Sequence, residues 1–114
     1  WNAEDPQLYT LVLSLMPPGS SQPSEVLRLR VGFRTVEMVN GRVHMNGKEI
    51  LIKGANRSEF DCKTGRVLTK EHMLEDVKLM KAANMNAVRN SHHPMDSYWY
   101  ELCDEYGLMM VDEA

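Results

Sequence analysis

Residues 8–15, Leu-Tyr-Thr-Leu-Val-Leu-Ser-Leu, put Tyr9, Leu11, Leu13 and Leu15 on one face at the strand period of two, with Thr10 and Ser14 opposite. Prolines, glycine and serines crowd residues 17–24, which predicts a loop. Residues 26–33 then alternate Leu27, Leu29 and Val31 against Arg28 and Arg30. The two runs predict a β-hairpin with one face in a core and one in water, the pattern of antiparallel sandwich sheets. Two strands do not make an independent domain, so the rest of that sheet is expected outside these residues.

From Thr35 the texture changes. Asn40-Gly41 and Asn46-Gly47 each predict a tight hairpin turn, because both central positions of a type I′ turn need positive φ. Short β-ribbons are expected around them. The run Ile50-Leu51-Ile52 is continuous rather than alternating, which suits a strand buried on both faces of a parallel sheet and running out into Asn56, Arg57, Ser58 and Glu59. Thr69 can cap a helix whose Met73, Leu74, Val77, Met80 and Ala83 share one stripe, with Glu71 acidic in its first turn. A strand through Asn86–Ser91 follows. Pro94 is then placed in the first turn of a second helix that Gly107 ends, and Leu108–Val111 is the next strand. The order βαβαβ predicts a parallel α/β sheet.

Composition narrows the class. The chain has 114 residues, 43% hydrophobic and 25% charged, which describes one ordinary globular domain. Its formal charge is −3 with no basic block, so nucleic acid is not an expected partner. No apolar run approaches the roughly 20 residues that span a bilayer, and no charged-then-apolar leader opens the chain, so no membrane partner is expected. Cys62 and Cys103 lack metal-type spacing, and the default is a reduced, cytoplasmic setting without a disulfide. The chain opens on Trp1 and closes on Val-Asp-Glu-Ala directly after a predicted strand, as expected of a segment of something longer.

In parallel α/β architectures functional side chains gather where strands end and lead into helices. Three polar clusters meet that rule: Asn56, Arg57, Ser58 and Glu59; Arg89, Asn90, Ser91, His92 and His93; Asp112 and Glu113. Adjacent His92 and His93 on an extended segment point to opposite sides, so they are not expected to share a metal. A neutral imidazole, one donor and one acceptor, suits a hydroxyl-rich ligand, and Arg89 can hold a carboxylate. The alternative is that His92 only caps a helix or bonds backbone. Asp112 and Glu113 also point apart and cannot flank one glycosidic bond as paired carboxylates do, so at least one is expected to be structural. Tyr98, Trp99, Tyr100 and Tyr106 could form a sugar-stacking platform, but their helical spacing fits packing better. The methionines, among them Met73, Met80, Met85, Met109 and Met110, read as core filler.

The stretch Asn86–Val111, "NAVRNSHHPMDSYWYELCDEYGLMMV", resembles the signature segment of glycoside hydrolase family two, the family of β-galactosidases, β-glucuronidases and β-mannosidases. Asn86, Arg89, Ser91, His92, Pro94, Trp99, Asp104 and Gly107 match it in order. The flanks "WNAEDPQLYTL", "VGFRTVE", "NGKEILIKGANRSE" and "GRVLTKEHMLEDVKLMKAANMNAVR" are similar to the same family, nearest to its β-galactosidases.

That resemblance implies a piece of a multidomain enzyme. Residues 1–34 would be the last strands of an immunoglobulin-like β-sandwich, and residues 35–114 the opening βαβαβ of a (β/α)8 TIM barrel. The parent would be a retaining hydrolase of terminal non-reducing β-D-galactose residues, acting on β-galactosides in carbohydrate metabolism and working as a homo-oligomer. Its two catalytic glutamates, and the glutamate and histidine that hold Mg2+, would lie beyond Ala114, so no catalytic or metal residue is expected here. His92 matches the family's histidine that bonds sugar hydroxyls, and Arg89 the arginine beneath the substrate that helps hold the nucleophile. Asn56 matches the asparagine of the first loop. Ser58, Glu59, Asn90 and His93 would be pocket neighbours. Ser58 stands where β-galactosidases commonly keep histidine and His93 where they keep tyrosine, which leaves β-glucuronidase or β-mannosidase activity open. From a different class, a chain that truly ended at Ala114 would be a non-catalytic binding or complementing module.

Overall fold

The computed structural model describes residues 1–113. Its elements run β1 (Tyr9–Leu15), β2 (Glu25–Val31), β3 (Val36–Val39), β4 (Arg42–Met45), β5 (Lys48–Glu49), β6 (Gly54–Arg57), α1 (Lys70–Ala82), β7 (Ala87–Asn90), α2 (Ser97–Tyr106) and β8 (Met109–Val111). Strands β1 and β2 form an antiparallel pair, β3, β4 and β5 an antiparallel ribbon, and β6, β7 and β8 a parallel sheet in that order. The βαβαβ reading therefore holds, with α1 and α2 as the two crossovers.

The hairpin is fully paired, from Tyr9 opposite Val31 to Leu15 opposite Glu25. Its predicted buried face is not buried: Leu11, Leu13, Leu27 and Leu29 keep 39%, 47%, 50% and 46% of their surface in solvent. Among the described residues no second sheet lies over it, so hydrogen bonding closes while burial does not. In the ribbon both Asn-Gly turns form as expected, with Asn40 and Gly41 at φ 50 and 76 and Asn46 and Gly47 at φ 51 and 77. The Asn46 side chain then does a second job. Its oxygen accepts from the Thr35 N–H and its amide donates to the Trp1 carbonyl, both at 3.0 Å.

Ile50-Leu51-Ile52 is not a buried strand. Leu51 and Ile52 are exposed, and the parallel strand starts two residues later, at Gly54. The cause is the Asn86 side chain, whose oxygen accepts from the Lys53 N–H at 2.7 Å while its amide donates to the Leu51 carbonyl at 2.8 Å. That one amide takes the bonds a neighbouring strand would have offered. Gly54 then lies against Ala87 so closely that an added Cβ would sit 2.3 Å from the Ala87 carbonyl oxygen.

Helix α1 begins where Thr69 predicts: its hydroxyl accepts from the His72 N–H and the His72 ring returns a bond to the Thr69 N–H, a reciprocal cap. Met73 and Val77 are buried, while Ala83 lies past the last turn as the C-cap and is exposed. Helix α2 starts later than Pro94 suggests. Asp96 is its N-cap, accepting from the Tyr98 N–H at 2.8 Å, and the Met95 N–H goes to the Tyr100 hydroxyl, so Pro94 belongs to the preceding loop. Gly107 ends α2 at φ 76.

The core is the cluster of Met73 and Val77 from α1, Val88 from β7, and Met95, Trp99, Leu102, Cys103 and Leu108 around α2. Trp99 and Val77 are completely buried, and burial pushes the Cys103 thiol up to about 12. Trp1 ties the pieces together. Its nitrogen donates to the Phe33 carbonyl and its indole N–H to the Asp104 carbonyl, each at 2.7 Å, and the Arg34 guanidinium lies 4.7 Å over its ring. Among the described residues no helix is long and apolar enough to cross a membrane.

Candidate functional site

Strand alternation sorts the polar residues at the C-terminal ends of β6, β7 and β8 into two sets. Asn56, Arg89 and Val111 sit in one cross-strand row, and Arg57 and Asn90 in the next. Successive rows face opposite sides of the sheet. Val88, one residue before Arg89, points into the helix-covered core. Arg57 and Asn90 point the same way as Val88, and Asn56 and Arg89 point to the open side.

On the helix side, the set is structural. Arg57 is buried with its guanidinium 3.8 Å from the Trp99 ring centre and its Nε on Asp76 at 2.9 Å. Asn90 has no exposed surface; its oxygen accepts from the Trp99 indole N–H at 3.0 Å and its amide donates to Asp112 at 2.8 Å. Asp112 also accepts from the Tyr100 hydroxyl. Asn90, expected as a pocket neighbour, is turned into the core, because its place in the row commits it to the helices. Glu59 also faces this way, accepting from the Asp96 N–H at 3.0 Å and lying 3.9 Å from Arg57. Its carboxylate braces the start of α2.

On the open side, Arg89 is the hub. Its Nη1 donates to the Asn56 side-chain oxygen at 3.3 Å and its Nη2 to the Glu113 carboxylate. The other Glu113 oxygen lies 2.8 Å from Nδ1 of His92. The chain reaches this point through a cis Ser91–His92 peptide bond. The His92 side chain is 76% exposed, and Glu113 and Arg89 are 28% and 36% exposed. Asn56, Arg89 and His92 are thus gathered on one side of the sheet and joined by Glu113. Glu113 is expected in the polar cluster that ends the third strand, with no partner assigned to it. The alternation that rules out Asp112 and Glu113 as a carboxylate pair is also the signal that finds it, since it sends Asp112 to the helices and Glu113 to Arg89.

His93 diverges from His92 in the bend that follows β7. Its Nδ1 lies 2.8 Å from the Pro94 carbonyl and its Nε2 3.2 Å from Nη1 of Arg66. Arg66 comes from a tight loop organised by Asp61, whose carboxylate accepts from the Lys63 and Thr64 N–H groups at 2.9 Å each; those bonds hold its pKa below the ordinary value. His93 is therefore a rim residue. Ser58 is exposed at the end of β6 and is not drawn into the Arg89 network. The aromatic residues are packing, as their spacing predicts: Trp99 is core, Tyr100 braces Asp112 and Met95, and Tyr98 lies under Lys70 at 4.7 Å.

Chemically, the open side offers a fixed guanidinium, an amide, an imidazole with an exposed edge and a carboxylate that joins them. Such a set can both donate to and accept from the hydroxyls of a polyhydroxylated molecule. Among the described residues no group of three or more His, Cys, Asp and Glu side chains could hold a metal ion.

Comparison with known proteins places this site in context. Residues 36–114 match the family described as glycosyl hydrolases family 2, TIM barrel domain. The chain is 55% identical over 113 residues to a β-galactosidase of Halalkalibacterium halodurans, covering 99% of this chain and 11% of that one. It is 54% identical over 115 residues to a β-galactosidase of Priestia megaterium, covering 100% and 11%. Among solved structures, a Bifidobacterium dentium β-glucuronidase complexed with coumarin-3-O-glucuronide superposes with a TM-score of 0.93 at 35% identity, over all of this chain and 18% of that one. A β-glycosidase from Bacteroides vulgatus gives 0.89 at 33%, over all of this chain and 15% of that one.

Proposed function

We propose, from the premise that this chain belongs to glycosyl hydrolases family 2, that it is the part of a β-galactosidase-like enzyme that supplies one wall of the sugar pocket. The parent hydrolyses terminal non-reducing β-D-galactose residues of β-galactosides, with retention, through a covalent glycosyl-enzyme intermediate. In this reading residues 1–34 are the closing strands of an immunoglobulin-like sandwich and residues 35–114 open the (β/α)8 barrel. The observation that carries it is the Asn56–Arg89–Glu113–His92 cluster, gathered where three parallel strands end, the face on which barrel enzymes build their sites. The galactoside assignment is supported by the name borne by both curated relatives, each more than half identical to this chain.

His92 bonds a sugar hydroxyl through its exposed edge. Arg89, tied to Asn56 and Glu113, lies beneath the sugar and steadies the nucleophile of the complete barrel. Both catalytic glutamates belong to residues outside this chain, as do the ligands of any Mg2+, and no step is assigned to a metal. The parent is a cytoplasmic homo-oligomer. The test is hydrolysis of a nitrophenyl β-galactoside by the full-length gene product and its His92→Ala variant. The parent hydrolyses it, and the variant loses about two- to tenfold in kcat/KM, the cost of one hydrogen bond to substrate. An unchanged rate in the variant removes His92 from the pocket.

A second reading, β-glucuronidase, has the support of the solved-structure likeness to the Bifidobacterium dentium enzyme, at lower identity. Nitrophenyl galactoside, glucuronide and mannoside assayed side by side separate the two and test β-mannosidase as well.

A further inference from the structure

We infer that Glu113 is the positioning residue of this site: one carboxylate fixes the guanidinium of Arg89 and the tautomer of His92 together. The inference rests on the glycosidase reading and adds to it a residue that matches neither catalytic nor sugar-binding assignments.

Each Glu113 oxygen is committed to a different partner. Oε1 takes the Arg89 Nη2 donor, and Oε2 lies 2.8 Å from His92 Nδ1. A carboxylate is acceptor-only, so the hydrogen between Oε2 and Nδ1 must sit on the imidazole. In the neutral ring that leaves Nε2 as a lone-pair acceptor on the exposed edge, ready for the O–H of a sugar. The same carboxylate, together with Asn56 at 3.3 Å, stops the Arg89 guanidinium from rotating out of its plane. The His92 side chain is 76% exposed, and among the described residues Glu113 is the partner its ring reaches. Asp112 cannot substitute, since Asn90 and Tyr100 occupy it on the other side of the sheet.

Glutamine at this position keeps the volume and removes the chemistry. With its single carbonyl on Arg89 its NH2 faces His92 Nδ1, which favours the other imidazole tautomer and turns Nε2 into a donor; with the carbonyl on His92 the NH2 faces the Arg89 guanidinium and that pairing is lost. The experiment uses the full-length gene product with nitrophenyl β-galactoside and compares the parent, Glu113→Gln, His92→Ala and the double variant, with the melting midpoint of each. We expect E113Q to lose about 10- to 100-fold in kcat/KM, the range for a lost hydrogen bond to a charged group, at an unchanged midpoint. In the H92A background the same change costs much less, because part of its effect passes through His92. E113D, which keeps the charge with a shorter reach, recovers part of the loss and carries the test if E113Q does not fold. Parent activity with E113Q within twofold of it, or fully additive losses, overturns the positioning role and leaves the glycosidase reading standing. A parent that cleaves no aryl β-glycoside overturns both.

Discussion

The β1–β2 hairpin and the β6–α1–β7–α2–β8 unit are both regular, and they are held in different ways. The hairpin satisfies its backbone across seven paired positions yet leaves leucines open on both strands. The parallel unit has only short strands, and its order comes from side chains: Val77, Val88 and Trp99 are closed off from water, and Arg57 is stacked on that tryptophan. Hydrogen bonds alone contribute little net stability, because the unfolded chain bonds water equally well, whereas burial does not have that competitor. The hairpin is therefore the region that depends on its surroundings. The parallel unit shares the dependence on one face only, where Ile52 and Val111 are open beside Arg89.

The contrast can be broken most severely by isolating the 114 residues. With the hairpin leucines, Ile52 and Val111 uncovered, the chain expressed alone should associate and bind a hydrophobic dye instead of melting cooperatively. Sedimentation and calorimetry check this; a sharp transition from a soluble monomer contradicts it. Next in size, Trp99→Ala in the full-length protein should cost about 3–5 kcal/mol by denaturant unfolding, because it empties the core and strips Arg57 and Asn90 of their partner. Leu13→Ala sharpens the comparison in the same assay. A cost near 2 kcal/mol or more means that a second sheet covers the hairpin in the full-length protein; a cost within about 0.5 kcal/mol means that Leu13 is as exposed there as here.

The smallest effect is chemical. Exposed Cys62 should react with a thiol reagent at pH 8 while Cys103 stays silent until the protein is unfolded. Burial raises the Cys103 thiol from 9.0 to about 12, so the folded state holds that proton more tightly than the unfolded one. The corresponding stability is fully present below pH 9 and is lost as the pH rises from there towards 12. Labelling of both thiols at equal rates in the native protein would remove Cys103 from the core.

Much of this was legible in the sequence because the signals were local and carried their own mechanism. The two Asn-Gly turns, the Thr69 cap, the Gly107 stop and the order of strands and helices each depend on a residue and its near neighbours. Alternation also separates Asp112 from Glu113, whereas His92 and His93 part in a bend beyond β7. What was not legible came from distant partners. Ile50-Leu51-Ile52 has the composition of a buried strand, but Asn86, more than thirty residues on, takes the backbone groups that would have paired. Pro94 fits a first turn, but Asp96 and Tyr100 start α2 later. Asn90 stands among pocket-type residues, but its row turns it to the helices, where the Trp99 indole N–H meets its oxygen. Glu113 was legible as a direction and not as a partner, since nothing along the chain says that Arg89 and His92 meet it.

The Asn86 side chain has an evolutionary consequence. It receives from Lys53 and gives to Leu51 at once, a dual role that needs an acceptor and a donor on one side chain. No single-base change of an asparagine codon yields glutamine, the other amide. Among its one-step neighbours aspartate lacks the donor and lysine the acceptor, so either of these changes loses a bond at the entry to β6.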